Sequence, residues 1–251
     1  MSKNNLTFPK RWILIRGLIR SQFHWFNFPS VLKQLLPIEQ IDLAELPGNG
    51  LLSVENTPNT LNSCILKLRS QISTIEEPVG LLGISLGGVL ATQWALDFPA
   101  EVSRLVLINS SFGESAFYER LRPQNYRSIF KLLISRKPQD LEKFIFTSTC
   151  NTLNWQKHFD AAVQFQNTHP IQLSNFFRQL KLARTALFTE NPQTKKLILT
   201  AQNDRLVNYK CSQQIAVSWT APLAIHPSAG HDLPMDDGSW IAEQISKYFL
   251  K

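Results

Sequence analysis

Residues Val79–Gly88 read VGLLGISLGG and are the most informative segment of this chain. It is an apolar run that ends in Gly-Ile-Ser-Leu-Gly and passes at once into a segment long enough for a helix. A buried strand, a Gly-x-Ser-x-Gly turn and a helix in this order predict a nucleophile elbow, which holds the Ser85 hydroxyl exposed at the edge of a sheet. Gly83 and Gly87 leave room where a Cβ would collide with neighbouring backbone. The alternative is a serine that only caps the helix of an ordinary turn.

Short apolar runs alternate with helix-length segments on both sides of this motif. Several of these runs are nearly continuous Val, Ile and Leu, which is typical of strands buried on both faces of a parallel sheet. The predicted strands are Trp12–Ile15, Ile38–Leu43, Val79–Ile84, Arg104–Ile108, Lys196–Ala201 and Pro222–His226. The predicted crossover helices are Pro29–Leu36, Leu61–Ser73, Gly87–Asp97, Ser212–Trp219 and Ser239–Leu250. The alternation predicts an α/β fold with a doubly wound, mostly parallel sheet.

One interval, from about Phe112 to Gln193, carries no convincing strand. A connection of this length is not a plain loop. Its amphipathic segments predict helices at Asn125–Ser135, Asp140–Thr147, Trp155–Phe165 and Gln172–Leu187. We predict a helical cap inserted over the carboxyl edge of the sheet, where ligands bind in open α/β folds. The chain then divides into a first core part at 1–111, a cap at 112–193 and a second core part at 194–251.

Two later loops supply the partners that a nucleophilic serine needs. A serine hydroxyl requires a base that is oriented by a third group, and the order expected in this fold is Ser, acid, His. Asp204 follows the strand that ends near Ala201, and His231 follows the last strand. We therefore predict a triad of Ser85, Asp204 and His231, although Asp204 has an alternative interpretation as a loop residue that caps a turn. The neighbouring Asp232 is interpreted as a residue that holds the His231 loop.

Two backbone N–H groups are predicted to form an oxyanion hole. Leu86 directly follows the nucleophile, and Leu18 lies in the loop after the first strand, where Gly17 lets the backbone turn toward Ser85. The other histidines lack metal-ligand spacing, so neither a metal ion nor a cofactor is expected.

Composition narrows the class of protein. The chain has 251 residues, of which 43% are hydrophobic and 18% charged, and this excludes disordered, collagen-like and coiled-coil chains. Its net charge of +7 comes from scattered Lys and Arg residues, so no nucleic-acid partner is expected. No apolar run approaches the roughly 18 residues of a membrane span, and the start of the chain does not read as a signal peptide. Three unpaired cysteines at Cys64, Cys150 and Cys211 favour a reduced, cytoplasmic setting. The sequence does not fix the oligomeric state.

These motifs together resemble the α/β-hydrolase superfamily, and the resemblance extends over Trp12–Leu250. In motif style the chain resembles small serine esterases of the pimeloyl-carrier-protein methyl ester esterase type. Their His-Gly-aromatic motif corresponds to Arg16–Leu18, and their following tryptophan corresponds to Trp25. Arg16 departs from the usual His in the oxyanion loop. The first strand corresponds to the third of the usual eight, so about six strands are expected.

The resemblance implies a serine hydrolase that cleaves a carboxylic ester or thioester of a small to medium acyl group. A C–C bond hydrolase or an acyltransferase would use the same triad, and a non-catalytic ligand-binding protein of hydrolase ancestry is a further alternative. Arg20 and His24 are candidate contacts for an anionic group on a small-molecule substrate, whereas Arg16 is expected to tie loops together. Phe112 is a candidate substrate contact at the cleft rim. Further aromatic residues expected near the rim are Phe117, Tyr118, Phe176 and Phe177.

Overall fold

The computed structural model describes residues 7–127, 129–130 and 137–250, and their centre is one sheet of six parallel strands. The strands are β1 Arg11–Ile15, β2 Gln40–Ala44, β3 Val79–Ile84, β4 Val102–Ile108, β5 Lys195–Ala201 and β6 Leu223–His226. Their order across the sheet is β2-β1-β3-β4-β5-β6. The predicted doubly wound α/β architecture is therefore confirmed.

The helices of the described residues are α1 Phe28–Leu35, α2 Leu61–Arg69, α3 Leu86–Asp97, α4 Phe117–Arg120, α5 Pro138–Thr149, α6 Phe159–Thr168, α7 Leu173–Thr185, α8 Tyr209–Trp219 and α9 Leu233–Phe249. One face of the sheet packs against α2, α3 and α8, and the other packs against α1 and α9. Successive strand residues such as Trp12 and Ile13 join opposite clusters, because side chains alternate across a strand. None of these helices combines the length and apolar character of a membrane span.

The last helix begins earlier than the predicted Ser239. Pro234 stands in its first turn, where the missing N–H costs nothing, and the helix is interrupted at Asp237 (φ −155°, ψ 75°). The Asp237 carboxylate then accepts the Trp240 N–H at 3.0 Å, as an N-cap does, and starts the second segment. The prediction therefore located the second segment and missed the first, which follows directly after the His231 loop.

The described part of the long interval between β4 and β5 contains helices and no strand. It contains α4 to α7, which correspond to three of the four predicted helices together with one short extra turn. The fourth prediction, Asn125–Ser135, falls largely on position 128 and positions 131–136, which lie outside the described residues. Gly113 N–H donates to the Ala186 carbonyl at 2.6 Å, so the chain leaves and rejoins the sheet at adjacent points.

The order of strands determines where a ligand can bind. The chain passes from β1 outward to β2 and then crosses back over β1 to β3. Helices leave the sheet in opposite directions at this switch point, and a crevice opens outside the carboxyl ends of the neighbouring strands. The loops after β1 and β3 carry Gly17 and Ser85, and both meet at this crevice.

Candidate active site

Ser85 occupies a strained turn between β3 and α3. Its φ of 57° and ψ of −122° are unusual for a residue with a side chain. Its N–H donates to the Ile108 carbonyl at the end of β4 (2.9 Å), which fixes the turn at the carboxyl edge of the sheet. A Cβ at position 83 would lie 2.2 Å from the Gly87 carbonyl oxygen, and one at position 87 would lie 2.1 Å from the Ile15 carbonyl oxygen. The turn can pack this tightly only with glycine at both positions.

The loops after β5 and β6 bring Asp204 and His231 together. His231 Nδ1 lies 2.7 Å from Asp204 Oδ2, and both residues are buried. The other carboxylate oxygen accepts the N–H groups of Leu206 (2.7 Å) and Val207 (2.9 Å). These contacts fix the carboxylate in the position to accept a hydrogen bond from the Nδ1–H group of His231. The neutral tautomer that this contact favours keeps a lone pair on Nε2.

Ser85 and His231 line one cavity. Within the described part of the chain, the serine hydroxyl makes no hydrogen bond to the imidazole. In enzymes without substrate this contact is often long and tightens when substrate binds. The structure therefore gathers the three predicted residues at one edge of the sheet, with the His–Asp pair already formed.

Asn109 positions the His231 loop, and sequence reasoning missed it. It directly follows β4 with a φ of 46°, a conformation that Asn tolerates better than most residues. Its side-chain amide donates to the carbonyls of His231 (2.8 Å) and Gly230 (3.2 Å), and its oxygen accepts from Thr200 and Ala201. The signal that could have indicated Asn109 in the sequence was a polar residue directly after an apolar strand.

The loop after β1 lies directly against the elbow. A Cβ at Gly17 would lie 3.0 Å from the Ser85 Cβ and 3.1 Å from the Ile84 carbonyl oxygen. Leu18 and Leu86, the predicted oxyanion donors, both line the cavity beside Ser85. Leu86 is the first residue of α3, where helical N–H groups have no partner within the helix and are free to donate to a ligand.

A buried ion pair joins the oxyanion loop to the His231 loop. Arg16 Nη1 and Nη2 donate to the Asp232 carboxylate oxygens at 3.0 and 2.7 Å. Burial alone would raise the pKa of Asp232, but the charge and hydrogen bonds of Arg16 hold it below its ordinary value. The Arg16 guanidinium also lies 4.8 Å from the Trp25 ring centroid. The geometry agrees with the interpretations of Arg16 as a loop tie and of Asp232 as a residue that holds the loop.

A second buried pair lies further along the same loop. Arg20 Nη1 donates to both carboxylate oxygens of Glu142 in α5, at 3.0 and 2.8 Å. Arg20 lines the cavity, and its role as a substrate contact stays a prediction. Glu142 was not predicted, because a charged residue on a helix is normally solvated and its burial depends on how α5 packs.

Two predicted substrate contacts lie outside the cavity. His24 is buried, with Nδ1 accepting the Ser21 N–H at 3.0 Å, and burial together with nearby Arg20 and Arg16 lowers its pKa well below the ordinary value. Phe112 is in the core, with its ring centroid 4.6 Å from that of Phe188. These assignments are corrected: neither residue is among the cavity-lining side chains of the described chain. Phe112 lies four residues beyond the end of β4, and its ring packs in the apolar core.

The cavity has a volume of about 300 Å³. Its walls are mainly apolar, and the loop after β1, the elbow and the interval between β4 and β5 all contribute to them. Lining side chains from the interval include Phe117, Leu121, Phe144, Ile145, Phe176, Phe177 and Leu180. Small-molecule sites typically combine such walls with a few convergent polar groups. In the described residues, no group of three or more His, Cys, Asp or Glu side chains is placed to hold a metal ion.

Comparison with known proteins agrees with the fold. Residues 13–244 match the model of the family described as "Alpha/beta hydrolase family". A protein of Cronobacter sakazakii, named "Putative carbamate hydrolase RutD", is 29% identical over 144 residues. That alignment covers 54% of this chain and 51% of the relative, so the chain matches only about half the length of this curated protein.

Solved structures share the fold across nearly the whole chain. The enol-lactonase of Burkholderia xenovorans LB400 superposes with a TM-score of 0.75 at 12% identity, covering 100% of this chain and 94% of its own. The 2-hydroxy-6-oxo-6-phenylhexa-2,4-dienoate hydrolase of Rhodococcus sp. strain RHA1 superposes with a TM-score of 0.73 at 14% identity, covering 99% and 92%. At these identities the likeness establishes a common fold and leaves the substrate open.

Proposed function

Because this chain belongs to the alpha/beta hydrolase family, we propose that it is a serine hydrolase that cleaves a carboxylic ester or thioester of a small to medium acyl group. One observation carries the proposal. Ser85, in a strained turn, shares a cavity with His231, whose Nδ1 lies 2.7 Å from the buried Asp204 carboxylate. Such an arrangement activates a hydroxyl that would otherwise be a weak nucleophile.

Acylation follows from the roles of these groups. Ser85 Oγ attacks the carbonyl carbon while His231 Nε2 takes the hydroxyl proton, and Asp204 stabilises the imidazolium that forms. The N–H groups of Leu18 and Leu86 donate to the oxyanion of the tetrahedral intermediate. When the intermediate collapses, the imidazolium returns its proton to the departing alcohol or thiol. The acyl group is then bound to Ser85.

Deacylation repeats the sequence with water. His231 Nε2 takes a proton from the water molecule as its oxygen attacks the acyl carbon, and the same N–H groups stabilise the second oxyanion. Collapse returns the proton to Ser85 Oγ and releases the carboxylic acid. No step needs a metal ion or a redox cofactor.

The lining of the cavity supports an acyl substrate of limited size. Aromatic and aliphatic side chains of α4, α5 and α7 line the same cavity as Ser85, as the side chains of a cap over the site would. Their apolar area favours a hydrocarbon portion over a sugar or a phosphate group. A volume of about 300 Å³ is at the lower end for ligand pockets, so small and medium acyl groups fit best.

An active-site probe tests the proposal. A fluorophosphonate should label the wild-type protein at neutral pH and should not label Ser85→Ala. Ser111→Ala is the matched control, because Ser111 also lines the cavity but lies outside the elbow, so this variant should still be labelled. A folded wild type that resists labelling would contradict the proposal.

Hydrolysis of a carbamate is a second candidate. The observation in its favour is the 29% identity to the protein named as a carbamate hydrolase. The same triad would attack the carbamate carbonyl. A panel of ester, thioester and carbamate with one common acyl size, compared by kcat/KM, distinguishes the two, and we expect the ester or thioester to be preferred.

A further inference from the structure

Exposed residues mark the place where the cavity around Ser85 opens to solvent. Among the described residues that line this cavity, the exposed ones are Phe117, Phe177 and Arg184. Phe117 is 54% exposed and Phe177 is 52% exposed. Phe117 belongs to α4, and the other two belong to α7. The Arg120 guanidinium joins these elements, because it donates to the Arg184 carbonyl at 3.1 Å. The mouth of the cavity therefore lies between α4 and α7.

Most exposed aromatic residues of the described chain belong to the interval that contains this mouth. Tyr248, near the end of the chain, is the exception. The ring centroids of Phe117 and Tyr126 are 6.1 Å apart, and Phe130 directly follows Ile129, which lines the cavity. Exposed apolar residues that are concentrated in one place indicate an interaction surface, whereas single ones need no explanation. We define the aromatic patch as the exposed residues Phe117, Tyr118, Tyr126, Phe130 and Phe177.

The same interval carries most of the net positive charge. Residues 112–193 contain 11 Lys and Arg against 6 Asp and Glu, a net charge of +5, whereas the other 169 residues contain 15 against 13. On α7, Phe177, Lys181 and Arg184 are all exposed at a spacing of i, i+4 and i+7, so they share one face of the helix. Within the described chain, neither Lys181 nor Arg184 forms an ion pair with a carboxylate. The surface around the mouth is therefore both aromatic and positively charged.

This combination favours a lipid surface over a protein partner. At a membrane surface, aromatic side chains bury their rings at the boundary between headgroups and acyl chains, while Lys and Arg attract anionic headgroups. A protein bound to the aromatic patch would also cover the cavity mouth and would hinder the entry of substrate. A membrane can cover the same surface and supply an apolar ester directly to the mainly apolar cavity.

We propose that the aromatic patch and the cations beside it bind anionic phospholipid membranes, and that the ester substrate enters the cavity from the lipid. The second part of this inference rests on the proposed function. The contact is peripheral, because the rings reach only the boundary between headgroups and acyl chains. The exposed cations Arg127, Lys181 and Arg184 add the attraction to a negative surface.

Flotation of the full chain with lipid vesicles tests the membrane contact. The Ser85→Ala variant is used, so that the protein does not hydrolyse the lipid. Vesicles of phosphatidylcholine alone are compared with vesicles that also contain phosphatidylglycerol. Partition onto the anionic vesicles should be stronger by about 10-fold or more at low salt, and this preference should fall at high salt because the charges are screened. Absence of binding to anionic vesicles at low salt, or equal binding to both kinds, would overturn the proposal.

Variants outside the cavity lining show which residues make the contact. Tyr118→Ser with Phe130→Ser should lower partition onto anionic vesicles by about 10-fold or more, because two inserted rings are lost. Arg127→Gln with Lys181→Gln should lower it by about fivefold for each lost charge, and only on anionic vesicles. Partition equal to that of the parent protein in both double variants would contradict the assignment of the surface.

The matched control lies on α2, where an exposed apolar residue and an exposed cation are neighbours. Leu66 is 57% exposed, and Lys67 is exposed beside it. Leu66→Ser with Lys67→Gln removes one apolar and one basic side chain from a different surface, so partition should not change. A loss equal to that of the patch variants would show that binding does not depend on the surface around the mouth, and it would overturn the proposal.

Turnover tests whether the substrate comes from the lipid. With Ser85 intact, the Tyr118→Ser, Phe130→Ser variant should hydrolyse a medium-chain glyceride dissolved in anionic vesicles about 10-fold more slowly than the wild type, because less enzyme is bound. Its kcat/KM for a short, water-soluble ester should stay at the wild-type value, because neither residue lines the cavity. An equal loss on both substrates would reveal damage to the site and contradict delivery from the lipid.

The outcomes separate this inference from the proposed function. Fluorophosphonate labelling of a wild type that does not bind anionic vesicles would overturn the membrane contact and leave the serine hydrolase intact. Vesicle binding by a wild type that resists labelling would overturn the hydrolase, and with it the ester taken from the lipid. Binding to soluble polyglutamate, lost in the same variants and without any binding to vesicles, would overturn the lipid surface in favour of an acidic protein.

Discussion

At the scale of single residues, the geometry of the candidate site depends on hydrogen bonds that hold Asp204 and His231 in place. Asp204 accepts two backbone N–H groups with one oxygen, which leaves the other for His231. Asn109 holds the carbonyls on the opposite side of the same loop. His231 is thus held at its ring by the Asp204 carboxylate and at its backbone carbonyl by the Asn109 amide.

Substitution of the proposed base should remove most turnover. His231→Ala should lower kcat by roughly 10³-fold or more, because it removes the base. Asp204→Asn should lower kcat by a comparable or smaller factor, because the imidazole loses the carboxylate that favours its proton-accepting tautomer. The measurement is steady-state hydrolysis of the best ester found in the panel. The chain also has a second His–Asp contact, with His226 Nε2 3.3 Å from Asp237 Oδ2, and it provides the control. Asp237→Asn should change kcat little; an equal loss there would contradict the assignment of His231.

A buried carboxyl group should make stability depend on pH. Burial raises the pKa of Glu45 from 4.5 to about 8, although Gln22 N–H donates to it. The folded state therefore binds this proton more tightly than the unfolded state, and the stability from this group is complete below pH 4.5 and lost as pH rises through about 8. Glu45→Gln should stabilise the protein relative to the wild type at alkaline pH and much less at acid pH. Urea denaturation across this window measures the difference, and a difference that does not vary with pH would contradict the prediction.

At the scale of elements, the Arg16–Asp232 pair fastens the loop after β1 to the loop before α9. The first loop carries the proposed oxyanion donor Leu18, and the second carries the proposed base His231. The pair is buried and bidentate, so its charges are compensated only while both partners remain.

Removal of one partner of the Arg16–Asp232 pair should lower the free energy of unfolding more than replacement of both partners by apolar residues. Asp232→Asn leaves a buried guanidinium without its counter-charge, and we expect a loss of about 3–5 kcal/mol in the free energy of unfolding. Arg16→Met combined with Asp232→Leu should be less destabilised than either single variant, because no buried charge remains. Chemical denaturation of the full double-mutant cycle measures this coupling. Additive losses would show that the pair contributes no coupling.

The helical interval between β4 and β5 should determine substrate size. Gly113 N–H and the Ala186 carbonyl are 2.6 Å apart, so a short linker from Ala116 to Ala186 removes α4 to α7 with little strain on the sheet. The shortened protein should hydrolyse a small activated ester but lose its acyl chain-length preference. Leu180→Ala, which widens the cavity without cutting the chain, should shift the preference toward longer acyl groups. An unchanged chain-length profile in both variants would contradict a cap role for the interval.

At the scale of the whole molecule, two apolar clusters on opposite faces of the sheet contain most of the buried hydrophobic side chains. All three cysteines are buried. Cys64 belongs to one of these two clusters, and Cys150 belongs to a smaller third cluster with Phe146 and Ala162.

The three thiols should be inert in the folded protein. Burial raises the pKa of Cys64 to about 12 and of Cys211 to about 11, and it raises the pKa of Cys150 as well. The thiolate that reacts with disulfide reagents is therefore scarce, and access to it is blocked. A thiol assay should detect no fast reaction in the native state and three thiols after denaturation. Rapid labelling of native protein would contradict the packing described here.

The strands, their parallel arrangement and the three residues of the proposed triad could all be predicted from the amino-acid sequence. These features depend on local sequence: a run of Val, Leu and Ile predicts a buried strand, and the Gly-x-Ser-x-Gly motif after it predicts a turn and a helix. The loops that carry the triad then meet, because parallel strands end at one edge of the sheet. The pairing of the buried charges, in contrast, depends on the tertiary structure. Arg16 lies 216 positions from Asp232 and Arg20 lies 122 positions from Glu142, and no local pattern encodes such contacts. The same reason explains the errors at His24 and Phe112, whose sequence positions near the rim did not reveal whether their side chains would turn toward the cavity or into the core.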